Sequence, residues 1–202
     1  MNDAPLAPRE SFFRAATLFE GALLGLALVL GYFSGQQPLE LIRWSARDFA
    51  YGLLATAPML LGLLIVTRIH SGPLGRLNAY VREWVVPLFA GCSPWQLAVL
   101  SLLAGVSEEA LFRGVVQGWL MRVSGSPIPG LVFASALFGL AHAITSTYAI
   151  LAGLIGAYLG WLWLATDNLL VPAVAHAAYD FVALMYLLRA APPIEQGFIT
   201  DD

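Results

Sequence analysis

The 202 residues are 59% hydrophobic and only 11% charged, and the mean hydropathy is +0.75. Average soluble domains hold about a quarter charged residues, so these values describe a membrane protein. All ten basic residues are arginine, and the formal net charge is −3. That excludes a basic surface able to neutralise a run of phosphates, and with it nucleic acid as a partner. The single cysteine, Cys92, excludes an internal disulfide and supplies no paired-cysteine metal motif.

Runs of about 20 apolar residues suffice to cross a bilayer. In chain order, a first span is predicted around Leu18 to Phe33, behind Arg9 and Arg14, and a second from Phe49 to Thr67. No small-residue cleavage site follows the first run, so it reads as an uncleaved anchor. The stretch PLGRLNAYVREWVVPLF then alternates Arg76, Arg82 and Glu83 with apolar residues at helical spacing, as an interfacial amphipathic helix does. Four more spans follow, at Pro94 to Leu120, Ile128 to Ala143, Thr147 to Ala165 and Leu169 to Leu188, the second of them short for a crossing. In the Thr147 to Ala165 span, Gly153, Gly156 and Gly160 either permit close helix approach or reflect the ordinary abundance of glycine in membrane helices. The tail APPIEQGFITDD reads as a short solvated end.

The expectation is an all-α, polytopic membrane helix bundle of about six transmembrane helices plus the interfacial helix. Residues 1–202 form one integral-membrane domain, with two anchors and the amphipathic segment in 1–93 and a core in 94–188. The distribution of arginines puts both termini in the cytoplasm by the positive-inside rule.

Between Pro94 and Met121 the only charged residues are Glu108, Glu109 and Arg113. An ionised side chain near a helix centre costs roughly 2.5–3.5 kcal/mol on insertion scales, so such groups face a bundle interior or a wet cavity. Glu109 and Arg113 are four apart and share a helix face, where they can pair. Glu108 is rotated away by about 100° and is free for general-base work. Two of three histidines, His142 and His176, also lie in predicted spans. Phe138 and His142 are four apart, as are His176 and Asp180. His70, at a span end beside Arg68, reads as a solvated interface residue. Glu20 sits near the mouth of the first span, Asp167 or Asn168 can cap the last helix, and Trp161 and Trp163 suit an interfacial belt; none is assigned to the site.

These motifs resemble the CPBP intramembrane proteases, the group of CAAX proteases and bacteriocin-processing or immunity-associated proteins. Glu108, Glu109 and Arg113 match EExxxR, Phe138 and His142 match FxxxH, and His176 and Asp180 match HxxxN or HxxxD. The resemblance implies a metal-independent, cofactor-free intramembrane endopeptidase in which Glu108 and His142 activate water. His176 and Asp180 would stabilise the oxyanion or hold the site, with Glu109, Arg113 and Phe138 in support. It implies a membrane-associated protein or peptide substrate: prenylated C-terminal CAAX sequences, peptide precursors with leader segments, or C-terminal membrane-sorting tails of exported proteins. The small size and all-arginine usage suggest a bacterial plasma membrane, which makes prenyl processing the least expected of these, and no stable partner is evident. An ionised aspartate cannot donate to an oxyanion as asparagine does, so Asp180 is expected either to stay protonated or to orient His176. Three other readings use the same residues: a zinc site of Glu108, His142 and His176, a non-catalytic immunity or scaffold protein, and a proton or ion pathway.

Overall fold

A computed structural model describes residues 8–190. The polar tail after residue 190 lies outside the described residues. Seven helices run in order: α1 (Pro8–Ser34), α2 (Ala46–Thr67), α3 (Gly72–Phe89), α4 (Pro94–Ser124), α5 (Pro127–Ala141), α6 (Ser146–Thr166) and α7 (Leu170–Ala190). A short 3-10 turn, Pro38–Leu41, lies between the first two, and the described residues contain no strand.

The local signals explain the boundaries. Ser45 accepts from the Asp48 N–H at the start of α2, and Thr145 does the same for Tyr148 at the start of α6. Gln96 reaches back to the Ser93 N–H in front of α4, whose first residue is Pro94. Asn168 caps α7 by accepting from Leu170 N at 3.1 Å. The same side chain accepts from Arg43 N and donates to the Arg43 carbonyl and to Asp48, so it clips the α1–α2 connection to the α6–α7 turn.

Helices α1, α2, α6 and α7 are each long and apolar enough to cross a bilayer. The other two expected spans differ for separate reasons. Helix α4 has the length but carries the charged cluster. Helix α5 has 15 residues, about 22 Å of rise against a hydrocarbon core of about 30 Å. Helix α3 meets α4 at a bend of 109°. It turns Leu77 and Val86 inward and Arg76, Arg82 and Glu83 outward, as the amphipathic pattern requires.

Helix α4 is the hub, packing on α1, α5 and α7 and touching α6. From Ala110 to Gln117 its backbone widens into π-helical turns, where the sequence suggests an unbroken α-helix. Such turns are rare and concentrate at functional sites. Two glycines set the helix spacing. A Cβ on Gly105 would lie 2.7 Å from the Ala173 carbonyl oxygen, and one on Gly160 would lie 2.6 Å from Gln117 Oε1 and 2.7 Å from Leu131 Cδ1. Close approach therefore decides the role of Gly160, and Gly105 does the same for α4 and α7. Trp163 is buried inside the bundle rather than in an interfacial belt, while Trp161 is exposed.

Gly105→Ala should destabilise the detergent-solubilised protein by about 1–3 kcal/mol, since the obstructing atoms are backbone. Gly25→Ala, where nothing lies within 4 Å, should be neutral or stabilising by up to about 1 kcal/mol. Thermal unfolding of both variants checks the contrast.

Candidate active site

The three sequence motifs converge. Glu108, Glu109 and Arg113 come from the middle of α4, Phe138 and His142 from the end of α5, and His176 and Asp180 from α7. Glu109 and Arg113 are both 0% exposed and paired, Nη1 to Oε1, at 2.8 Å. The same Oε1 lies 2.9 Å from Nδ1 of His176. Arg113 also donates to the Gly156 carbonyl at 2.8 Å, and one turn on Gln117 donates to the Gly160 carbonyl at 3.2 Å. Helices α4, α6 and α7 are thus joined through polar side chains in the bundle interior.

Phe138 fills the space between these groups. The Arg113 guanidinium carbon stands 4.5 Å from its ring centre, the His142 ring stacks on it at 4.4 Å, and the His176 ring meets it edge-on at 5.8 Å. It therefore orients three polar groups while excluding water from the ion pair.

Glu108 is placed differently from Glu109. It is 8% exposed, and its Oε2 has no hydrogen-bond partner among the described residues. It faces His142 Nε2 across 3.5 Å. The other His142 nitrogen, Nδ1, lies 2.9 Å from the Phe138 carbonyl oxygen. A carbonyl only accepts, so that nitrogen carries the hydrogen, and a neutral His142 presents its Nε2 lone pair toward Glu108.

On α7, His176 Nε2 faces Asp180 Oδ2 at 3.4 Å. Both ring nitrogens of His176 are therefore directed at carboxylates. His142, His176 and Asp180 open onto a cavity of ≈ 490 Å³, most of whose wall is apolar surface of α2, α3, α6 and α7. Glu108 lies behind His142 rather than in that wall.

Two features of the site were not read from sequence. Glu20 of α1 is half-buried rather than at an open mouth, and Ser107 donates to it at 2.5 Å beside Glu108. No local spacing connects residues 87 positions apart. Tyr148 and Tyr179 line the cavity, yet by sequence they are ordinary span aromatics. His70 is exposed and apart from the site.

Among the described residues no three His, Cys, Asp or Glu side chains gather as a metal site. Within the set of Glu108, His142 and His176, the two ring nitrogens of His176 face Glu109 and Asp180.

Residues 90–182 match the family model described as Type II CAAX prenyl endopeptidase Rce1-like. This segment is Rce1-like. The match holds all three motifs and leaves out α1, α2 and α3. The Rce1-like family is one of CAAX endopeptidases, which makes the chain a protease, and its apolar helices make it a multi-pass membrane protein. No curated protein and no solved structure matches the chain.

Glu109→Leu leaves Arg113 buried without its partner, a change that costs about 3–5 kcal/mol. Folded yield and unfolding temperature in detergent should fall sharply for this variant, whereas Glu108→Gln should keep wild-type values.

Proposed function

We propose that the chain is an intramembrane endopeptidase in which Glu108 and His142 activate a water for attack on a peptide carbonyl. The observation that carries this reading is the contrast between the two adjacent glutamates. Glu109 is held through Oε1 by Arg113 and His176, while neither Glu108 oxygen accepts a hydrogen bond among the described residues and its Oε2 lies 3.5 Å from His142 Nε2, which carries no hydrogen in the neutral ring. With a small widening of this gap, the two acceptors can each take one hydrogen of the same water.

In this mechanism the water oxygen attacks the carbonyl carbon as one of its hydrogens passes to Glu108. The tetrahedral intermediate collapses with cleavage of the C–N bond, and Glu108 returns the proton to the departing amine nitrogen. His142 fixes the water through Nε2, with its ring oriented by the Phe138 carbonyl and the Phe138 ring. The substrate is a membrane-associated protein or peptide, admitted through the apolar cavity. Helices α1, α2, α6 and α7 cross a bacterial plasma membrane, α4 and the short α5 lie between them, both termini are in the cytoplasm, and residues 94–188 form the catalytic core of one membrane domain.

The direction of both His176 nitrogens toward carboxylates favours an orienting role for Asp180. An ionised Asp180 accepts from Nε2–H and so fixes a ring whose Nδ1–H is given to Glu109, which makes His176 an imidazolium in this arrangement. Asp180→Asn removes a charge-assisted hydrogen bond of roughly 1.5 kcal/mol and should lower kcat about tenfold. Undiminished activity would show that no negative charge is needed at this position.

Glu108→Gln should abolish cleavage with protein abundance unchanged. Membrane-protein termini compared between cells carrying the native chain and cells carrying the variant provide the measurement. Termini present only with the native chain identify the substrate, while a variant that generates the full set overturns the proposal.

A further inference from the structure

Peptide hydrolysis places negative charge on the carbonyl oxygen, and a site of this kind needs a donor aimed at it. The motif side chains offer none to the cavity. Arg113 is bound to Glu109 and the Gly156 carbonyl, and although its Nε–H has no partner among the described residues, the side chain is fully buried and does not line the cavity. His176 is directed at Glu109 and Asp180, and His142 gives its Nδ1 hydrogen to the Phe138 carbonyl. Asp180 accepts when ionised.

Other donors in the cavity wall are also committed. Asn78 gives its amide hydrogens to the Val66 and Ile69 carbonyls, the Tyr158 hydroxyl donates to Ala55, and Thr67 donates to Leu64. Tyr148 and Tyr179 line the same cavity, and their hydroxyls bond to no other group among the described residues. Tyr148 is the better placed of the two. Its ring lies 6.3 Å from that of His142, whereas Tyr179 makes no ring contact with either motif histidine among the described residues. The capping bond from Tyr148 N to Thr145 Oγ1 anchors its backbone in the first turn of α6.

We propose that Tyr148 is a catalytic residue whose phenolic O–H donates to the oxyanion of the tetrahedral intermediate. The phenol keeps its hydrogen throughout, so no proton is transferred to or from it. The assignment rests on the endopeptidase reading above, and it gives this chain a donor that its motif residues lack.

The test uses purified full-length protein in detergent and an internally quenched peptide spanning a terminus that Glu108→Gln eliminates. Tyr148→Phe keeps the ring and should lower kcat by about 10²–10³ with little change in KM and an unaltered unfolding temperature. A kcat within about twofold of wild type, alongside an inactive Glu108→Gln, overturns the Tyr148 assignment alone. Loss in Tyr179→Phe without loss in Tyr148→Phe also overturns it, by moving the donor to Tyr179. Full cleavage by Glu108→Gln overturns the endopeptidase reading itself. Should Tyr148→Phe fold poorly, fluorotyrosine at 148 preserves shape while changing O–H acidity. A kcat that shifts with fluorination supports the proposal, and one that does not shift contradicts it.

Discussion

One carboxylate oxygen organises this molecule. Glu109 Oε1 accepts from Arg113 and lies 2.9 Å from His176, in a place where neither Glu109 nor Arg113 has any exposed surface. Buried ions are costly unless each is met by a partner of good geometry. Here the partners come from different helices, so meeting that requirement also fixes how α4, α6 and α7 stand against one another. Gly105 and Gly160 allow those helices to approach closely enough for the bonds to form.

The same constraint separates the two glutamates. Because Glu109 is committed inward, the preceding residue is turned toward the end of α5, where it meets His142 rather than Arg113. A fixed ion pair and an uncommitted carboxylate side by side form the arrangement on which the proposed water activation depends. Ser107 and Glu20 extend the polar region toward α1. The site therefore draws on a helix that lies outside the Rce1-like match.

What the sequence revealed was local in character. Pairs four apart, Glu109 with Arg113 and His176 with Asp180, follow from helix geometry and meet as expected. Helix ends were legible from Ser45, Ser93, Pro94 and Asn168, because caps act within a few residues. The contacts between distant segments left no such trace. Glu20 with Ser107, Gln117 with Gly160, and Tyr148 beside His142 depend on how helices are rotated about their axes. The π-helical turns from Ala110 to Gln117 change that rotation inside what reads as a uniform apolar helix. The placement of Trp163 inside the bundle was illegible for the same reason, since an aromatic near a span end suits either environment.

The proposed chemistry differs from direct attack by the Glu108 carboxylate in the origin of one oxygen atom. A single turnover in ¹⁸O-labelled water, with the protein in excess over a peptide spanning an identified cleavage site, distinguishes the two routes by mass spectrometry. Activation of water by Glu108 and His142 predicts ¹⁸O in the new carboxyl terminus in that first turnover. An unlabelled carboxyl terminus would show that Glu108 had supplied the oxygen itself, and would contradict the account.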